Sequence, residues 1–272
     1  MTTGASPAVL VRGVGEIGSA IAHALARRGR AVAIQEARMP MTARRGMAFA
    51  DAVFDGSAWL EGVEARRIDA PDAAARAIGR GFVPVIAAPV ETVVALLPWA
   101  VLVDARMAKR EAPDRAIGLA PLTVGLGPGH KAGATADWVV ETAWGPDMGR
   151  VMTSGATLPL SGEPRQVGGA GRERFVYAPA GGVFRTAARI GEMVAAGATI
   201  AEIGGIPLRA PLDGSLRGLV RDGVPVPAGT KVIEVDPRGA AGQVSGLGER
   251  PRHIGERVAE AVGRHLDGLG DL

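Results

Sequence analysis

The sequence predicts an α/β chain, with a parallel sheet and covering helices in its first half, a small all-β module in its second and a helix at its end. Three observations carry that expectation. Glycines at the spacing G-x-G-x-x-G interrupt an apolar pattern in "VRGVGEIGSA", Val11 to Ala20. Apolar strands then alternate with helical stretches to about residue 130. From Ala178 the sequence repeats itself in units of short strands.

The elements follow in order. Ala8 to Val11 form a short apolar run, Gly13, Gly15 and Gly18 come next, and Ile17, Ile21, Ala24 and Leu25 recur at helical spacing before Gly29. This reads as strand, tight turn, amphipathic helix and C-cap, the setting that a Rossmann-like dinucleotide-binding turn requires. Gly13 permits the sharp turn, Gly15 lets the backbone approach a pyrophosphate, and Gly18 lets helix and strand pack closely. The helix start offers N–H groups and partial positive charge to phosphates, while Glu16 adds a negative charge inside the turn.

"AVAIQE" is a second strand. Glu36 at its end stands 18 residues beyond Gly18, where a carboxylate accepts hydrogen bonds from a ribose diol and repels a 2′-phosphate. Arg38, two residues on, is placed to pair with such a phosphate, and Glu36 as a solvated strand end would do neither. Further along, "PDAAARAIGRG" reads as a helix, and "VPVIA", "WAVLVDAR" and "PLTVGLGPG" read as strands. Ligands of such sheets gather beyond the carboxyl ends of the strands. That puts Asp104 and the Gly127-Pro128-Gly129-His130 turn at the ligand edge, a turn carboxylate and an exposed loop histidine being the alternative readings.

Composition excludes several chemistries. Cysteine is absent, which removes disulfides, thiolate metal sites and thiol nucleophiles. The four histidines, His23, His130, His253 and His265, show no ligand spacing, so no protein-built metal site is expected. Of 31 basic residues only Lys109, Lys131 and Lys231 are lysines; the arginines are scattered and the chain is 4% aromatic, which argues against a nucleic-acid partner. "MTTGASPAVLVRG" lacks a charged segment followed by a long apolar one, and "VVALLPWAVLV" falls short of the roughly 20 residues that span a bilayer. The chain reads as soluble and cytoplasmic, with no membrane partner.

In the second half, "APAGGVFRTAARIGEMVAAGATIAEI" begins 32 residues before "APLDGSLRGLVRDGVPVPAGTKVIEV", and Pro179, Gly182, Gly191, Gly197 and Glu202 match Pro211, Gly214, Gly223, Gly229 and Glu234. The paired "AP-x-x-G" and "G-x-x-V-x-x-G" signatures resemble the biotinyl/lipoyl domain (a barrel-sandwich hybrid) over Phe175 to Pro237. In that family the carrier lysine sits at the tip of the hairpin joining the halves. Here Gly204-Gly205 occupies the tip, so no biotin or lipoyl attachment is implied. "DWVVETA" and "GRVMTSG" are short strands before the Pro/Gly-rich "LPLSGEPRQVGGAG", and "PRHIGERVAEAVGRHLDGL" has helical spacing. The expected organisation is residues 1–165 as a Rossmann-like domain with a short β extension, 172–238 as the lipoyl-like module and 239–272 as a helical tail.

The order "VRGVGEIG", "RRGMAFADAVFDG", "VLVDARMAKR", "LGPGHKAG", "VVET" and "VDPRG" resembles the accessory-protein family of selenium-dependent molybdenum hydroxylases and xanthine-dehydrogenase-type enzymes. The resemblance implies a maturation role, with an apo molybdenum hydroxylase and other maturation proteins as partners. It implies Gly13, Gly15 and Gly18 as the phosphate turn, and Asp104, Lys109 and the segment Gly127, Gly129, His130 and Lys131 as the opposing wall. A polar "ETxRGHxLGR" run of the family is here "ETAWGPDMGR", with Trp144 and Pro146 in place of an arginine and a histidine. Three functions remain open: a holder of a molybdopterin dinucleotide or related nucleotide, an NAD-dependent oxidoreductase, and a ligand-free scaffold. Only Lys109, His130 and Lys131 stand near the ligand edge as proton donors, and they form no acid–base pair in sequence. A homo-oligomer formed through the β module is a further expectation.

Overall fold

The computed structural model describes residues 7–70, 73–107 and 112–269. The chain forms two compact units that do not follow the sequence in blocks. Unit 1 comprises Met1–Arg38, Asp51–Leu160 and Leu247–Leu272, and unit 2 comprises Met39–Ala50 and Ser161–Gly246.

Unit 1 is built on β1 (Val9–Arg12), α1 (Glu16–Arg27), β2 (Val32–Glu36), α2 (Ala52–Asp55), β3 (Ser57–Leu60), β4 (Val63–Arg67), α3 (Ala74–Ala77), β5 (Val83–Ala87), α4 (Val90–Val94), β6 (Val101–Asp104), β7 (Leu122–Leu126), β8 (Trp138–Val140), β9 (Val151–Met152) and α5 (Glu249–Leu269). The sheet order is β3-β4-β5-β2-β1-β6-β7-β8-β9. From β4 to β8 every neighbouring pair is parallel, and the edge strands β3 and β9 are antiparallel to their neighbours. Strands β1, β2, β5, β6 and β7 are buried almost throughout, which is why they read as unbroken apolar runs.

One face of this sheet packs Leu10, Ala33, Ile86 and Leu102 against Val93, Trp99 and Ala116. Helix α1 is buried along its whole middle, Ile17 to Leu25, because α5 covers the side it turns away from the sheet. The two helices approach closely at Gly255, where an added Cβ would lie 2.7 Å from the Ala20 carbonyl oxygen. The β3–β4 hairpin turns on Glu61 and Gly62, both at positive φ (45° and 80°). Glu61 is held there by its own carboxylate, which accepts from the Leu247 N–H at 2.9 Å and from Arg252 at 2.6 Å.

Unit 2 contains β10 (Phe175–Tyr177), β11 (Gly182–Arg185), β12 (Met193–Val194), β13 (Thr199–Ile203), β14 (Ile206–Arg209), β15 (Gly214–Leu219), β16 (Pro225–Val226) and β17 (Lys231–Asp236). They form two four-stranded antiparallel sheets, β10-β17-β15-β12 and β14-β13-β11-β16. The 32-residue repeat relates one sheet to the other, and each sheet takes its last strand from the other copy. Matching hydrogen bonds repeat with it: Gly191 N–H to the Leu216 carbonyl and Gly223 N–H to the Phe184 carbonyl are both 2.8 Å. Gly204 and Gly205, at φ 59° and 80°, turn β13 into β14.

The fold expected from the sequence is corrected on these observations. In place of a Rossmann-like parallel sheet followed by a lipoyl-like module, unit 1 is a large mixed sheet with antiparallel edges and unit 2 is a pair of antiparallel sheets. The hairpin at Glu61-Gly62 is what adds the reversed edge strand. The expected boundaries shift as well: the first unit ends at Leu160, α5 belongs to it, and Met39–Ala50 belongs to unit 2. The helix expected at "PDAAARAIGRG" is described only as the single turn α3, with Pro71 and Asp72 outside the described residues. No helix among the described residues is long and apolar enough to cross a membrane.

What brings Met39–Ala50 into unit 2 is a carboxylate. Glu234 is fully buried and accepts from Arg44 through Nε and Nη2, both at 2.8 Å, and from Arg174 Nη1 and Lys231 Nζ, also at 2.8 Å. Burial alone would raise its pKa, but the charges of Lys231 and Arg44 reverse that and hold it well below the usual carboxylate range. A group whose folded value is depressed gives its full stabilisation above its unfolded value of 4.5 and loses it as the pH falls further. We expect Glu234→Gln to cost about 3–5 kcal/mol at pH 7, since it strands buried cations. Urea titrations from pH 7 to 3 check it: the wild type loses stability below about pH 4.5, and the variant starts lower with a shallower acid slope.

Candidate functional site

The centre of unit 1 is the point where the strand order reverses, with β2 on one side of β1 and β6 on the other. Such reversals open a crevice at the carboxyl ends of the strands. The described residues there are the Gly13 to Gly18 turn, Glu36, Asp104 to Met107 and the turn that follows β7.

The three glycines of the turn differ in their physical reasons. Gly13 sits at φ +103°, and a Cβ on it would lie 3.1 Å from Arg106 Cα, so the turn runs close against the end of β6. Gly18 would put a Cβ 1.9 Å from the Gly13 carbonyl oxygen, so only glycine fits. Gly15 has an ordinary φ of −63° as the N-cap of α1, and a Cβ there would meet nothing within 4 Å. Neither conformation nor packing inside the protein calls for glycine at position 15. No side chain caps α1 at this end. Glu16 is half-buried in its first turn.

Glu36 folds back onto this turn. Its Oε2 accepts from the Val14 N–H at 2.8 Å and its Oε1 from the Ala37 N–H at 2.7 Å. A carboxylate has about four acceptor positions, so each oxygen keeps capacity for a further donor.

Beside the turn lies a buried charge cluster. Arg12 and Asp104 end β1 and β6 in register, with Arg12 Nη1 donating to Asp104 at 3.3 Å. Arg106 holds the same carboxylate through Nε at 2.9 Å and Nη2 at 2.6 Å, and reaches the exposed Asp114 at 2.8 Å. Burial pushes the Asp104 carboxyl up, but Arg106, joined by Arg12, more than reverses this, so it stays ionised. Burial also lowers Arg12, with Asp104 opposing. Arg106 is raised above its ordinary value, chiefly by its hydrogen bonds to Asp104. Two guanidiniums thus share one buried carboxylate, and the buried Nε of Arg12 has no hydrogen-bond partner.

His130 completes the wall. Its ring lies over Gly125, where a Cβ would come within 2.2 Å of Nδ1, and Gly125 pairs in register with Asp104. Nδ1 faces Thr135 Oγ1 at 3.2 Å, and the His130 N–H donates to Thr157 Oγ1 at 3.1 Å. The histidine is buried rather than an exposed loop residue, and burial lowers its pKa, so it is neutral at pH 7. Gly127, at φ +107°, accepts from the Thr157 hydroxyl at 2.7 Å, and Gly129, at φ +82°, packs on Pro113.

The structure therefore gathers Gly13, Glu36, Asp104, Gly127 and His130 at neighbouring strand ends. Lys131 is exposed and held through its backbone by Thr135. Lys109 lies outside the described residues. In "VVET", the buried Glu141 accepts from the N–H groups of Thr142, Ala143 and Leu158, so its carboxylate fastens the chain here. Among the described residues no group of three or more His, Asp or Glu side chains could hold a metal ion. Sequence reasoning missed Arg12 and Arg106. The signal was available: a charged residue closing the otherwise apolar "VLVR" immediately before the glycines, and an arginine two residues after Asp104.

No family model matches the chain. The Escherichia coli (strain K12) protein named "Uncharacterized protein YqeB" is 38% identical over 254 residues, 93% of this chain and 47% of that protein. The chain thus spans about half the length of the curated relative it matches. Among solved structures, a succinylglutamate desuccinylase/aspartoacylase from Rhodobacter sphaeroides is similar at 14% identity and a TM-score of 0.27, over 85% of this chain and 86% of that one.

The turn geometry separates stability from occupancy. Gly18→Ala is expected to destabilise the protein by about 1–3 kcal/mol through forced displacement of the Gly13 carbonyl. Gly15→Asp is expected to keep the unfolding midpoint or raise it slightly, because aspartate caps a helix at least as well as glycine. Denaturant melts of both variants against the wild type read the difference.

Proposed function

We propose that this chain is an accessory protein that holds a pyrophosphate-bearing nucleotide at the turn between β1 and α1, on behalf of a molybdenum hydroxylase. The observation that carries the reading is Gly15. Gly15 combines an ordinary φ with open space around a would-be Cβ, whereas Gly13 and Gly18 of the same turn do not. Glycine weakens a folded chain through backbone entropy. A bare backbone at a helix start, with nothing inside the protein to require it, suits the close approach of a phosphate.

The surroundings suit an anion. Arg12 and Arg106 meet Asp104, with Arg106 also reaching the exposed Asp114, and the orphaned Nε of Arg12 is a donor without an acceptor. Glu36 retains acceptor capacity for a ribose diol. The order of sequence motifs supplies the choice of a molybdopterin dinucleotide over other pyrophosphates. That group brings its own metal ligands, which suits a chain with no cysteine. The chain's residues would bind the pyrophosphate at Gly13 to Gly18, orient the ribose at Glu36 and close one wall with His130. A neutral histidine whose Nδ1 faces a threonine hydroxyl does not make an acid–base pair, which favours holding over turnover.

The test is calorimetric titration of full-length protein with a molybdopterin dinucleotide and with NAD, alongside mass spectrometry of what the protein releases when prepared from a host that makes the cofactor. We expect the pterin nucleotide to bind more tightly than NAD, and Gly15→Asp to weaken it at least tenfold with an unchanged melt. Tighter binding of NAD would move the assignment to a redox enzyme. Indifference to both nucleotides would leave a scaffold.

A further inference from the structure

The repeat in unit 2 has one seat filled and its counterpart open. In the second copy, the end of β15 receives the segment Ala43-Arg44-Arg45. The Leu219 N–H donates to the Ala43 carbonyl at 2.8 Å, Arg45 Nε donates to the Leu219 carbonyl at 2.7 Å, and Arg44 donates to Glu234 through Nε and Nη2. A diarginine turn, running into a single 3-10 turn at Arg45–Met47, thus meets the strand end through one backbone hydrogen bond and places one guanidinium on a carboxylate.

Thirty-two residues earlier the same positions are Arg185, Thr186, Ala187 and Glu202. Among the described residues nothing pairs with the N–H or C=O of Ala187, the counterpart of Leu219. The carboxylate of Glu202, the counterpart of Glu234, accepts no hydrogen bond and joins no ion pair. Lys231 and Arg174, which help to neutralise Glu234, have Thr199 and Ile206 as their counterparts, so of the first copy's cations only Arg185, opposite Glu202 in the β11–β13 pair, stands beside this carboxylate. Arg185 turns instead to Asp222, at 3.7 Å. These residues line an open groove of about 390 Å³, floored by Ile200 and Ala201.

We propose that this groove is a docking site for an arginine-bearing turn of a partner protein, whose backbone carbonyl accepts from the Ala187 N–H and whose arginine is set on Glu202. The proposal is independent of the nucleotide site. It rests on the filled seat as a worked precedent within the same chain, and on an exposed carboxylate, without a hydrogen-bond partner, that an incoming arginine complements.

The probe is a synthetic peptide of residues 39–50, MPMTARRGMAFA, titrated into the full-length protein. The chain's own segment keeps its seat because tethering gives it a high effective concentration. Fluorescence anisotropy is expected to show one-to-one binding. Amide shifts in two-dimensional NMR should fall on Arg185 to Ala187 and Thr199 to Glu202, with Leu219 unmoved. Glu202→Lys in the protein, or glutamines in place of both arginines in the peptide, should each weaken binding at least tenfold. Absence of binding, affinity indifferent to Glu202→Lys, or shifts centred on Leu219 would each overturn the proposal.

Discussion

A single buried carboxylate organises unit 2. Glu234 is inaccessible to solvent and would be unstable there alone, since an isolated ionised group in a protein interior carries a large desolvation penalty. It survives because Arg44, Arg174 and Lys231 come to it from three stretches of sequence. Two of them also lay their charge over the face of Phe175, Arg174 at 4.2 Å and Lys231 at 4.5 Å from the ring centroid. The cluster therefore stores little net stability relative to an apolar core, yet it fixes which segment goes where. Arginine at position 44 is what gives the excursion through residues 39–50 a destination.

Unit 1 uses the same chemistry on a smaller scale. At Glu234 an excess of cations is drawn in to satisfy one carboxylate whose acceptor positions are well filled. At Asp104 two guanidiniums converge on one carboxylate, and a donor nitrogen is left over. What distinguishes the two clusters is position: Glu234 lies inside the β sheets of unit 2, whereas Asp104 ends β6 beside the glycine turn.

The parts of this molecule that were legible in sequence are those set by local spacing. The strand, turn and helix over Val9 to Arg27 follow from three glycines and a helical apolar pattern, and the 32-residue repeat shows through ungapped matches. The edge hairpin at Glu61-Gly62 was not read, because glutamate at positive φ is uncommon and is stabilised here by Leu247 and Arg252, far along the chain. Residues 39–50 could not be assigned to unit 2, since "TARRG" carries no periodicity and its partner is 190 residues away. At the site, the glycines stood out in the sequence, while Arg12 closes a strand that read as core and Arg106 follows β6 outside any motif. His130 was placed correctly at the strand ends, but its burial depends on Gly125 leaving room for the ring, which no local pattern signals.

The division of the chain between the two units has a consequence for how the protein is made. The polypeptide passes from one unit to the other after residues 38, 50, 160 and 246. Arg44 leaves the ribosome long before Glu234, and Arg30 long before its partner Asp267, 237 residues on. At 5–20 residues per second these gaps last roughly 10–50 s. Through that interval α1 has no α5 to cover it, and a diarginine segment has no carboxylate to bind. Neither of these contacts can form until its later partner has been made, so the early segments of both units wait for residues synthesised long after them.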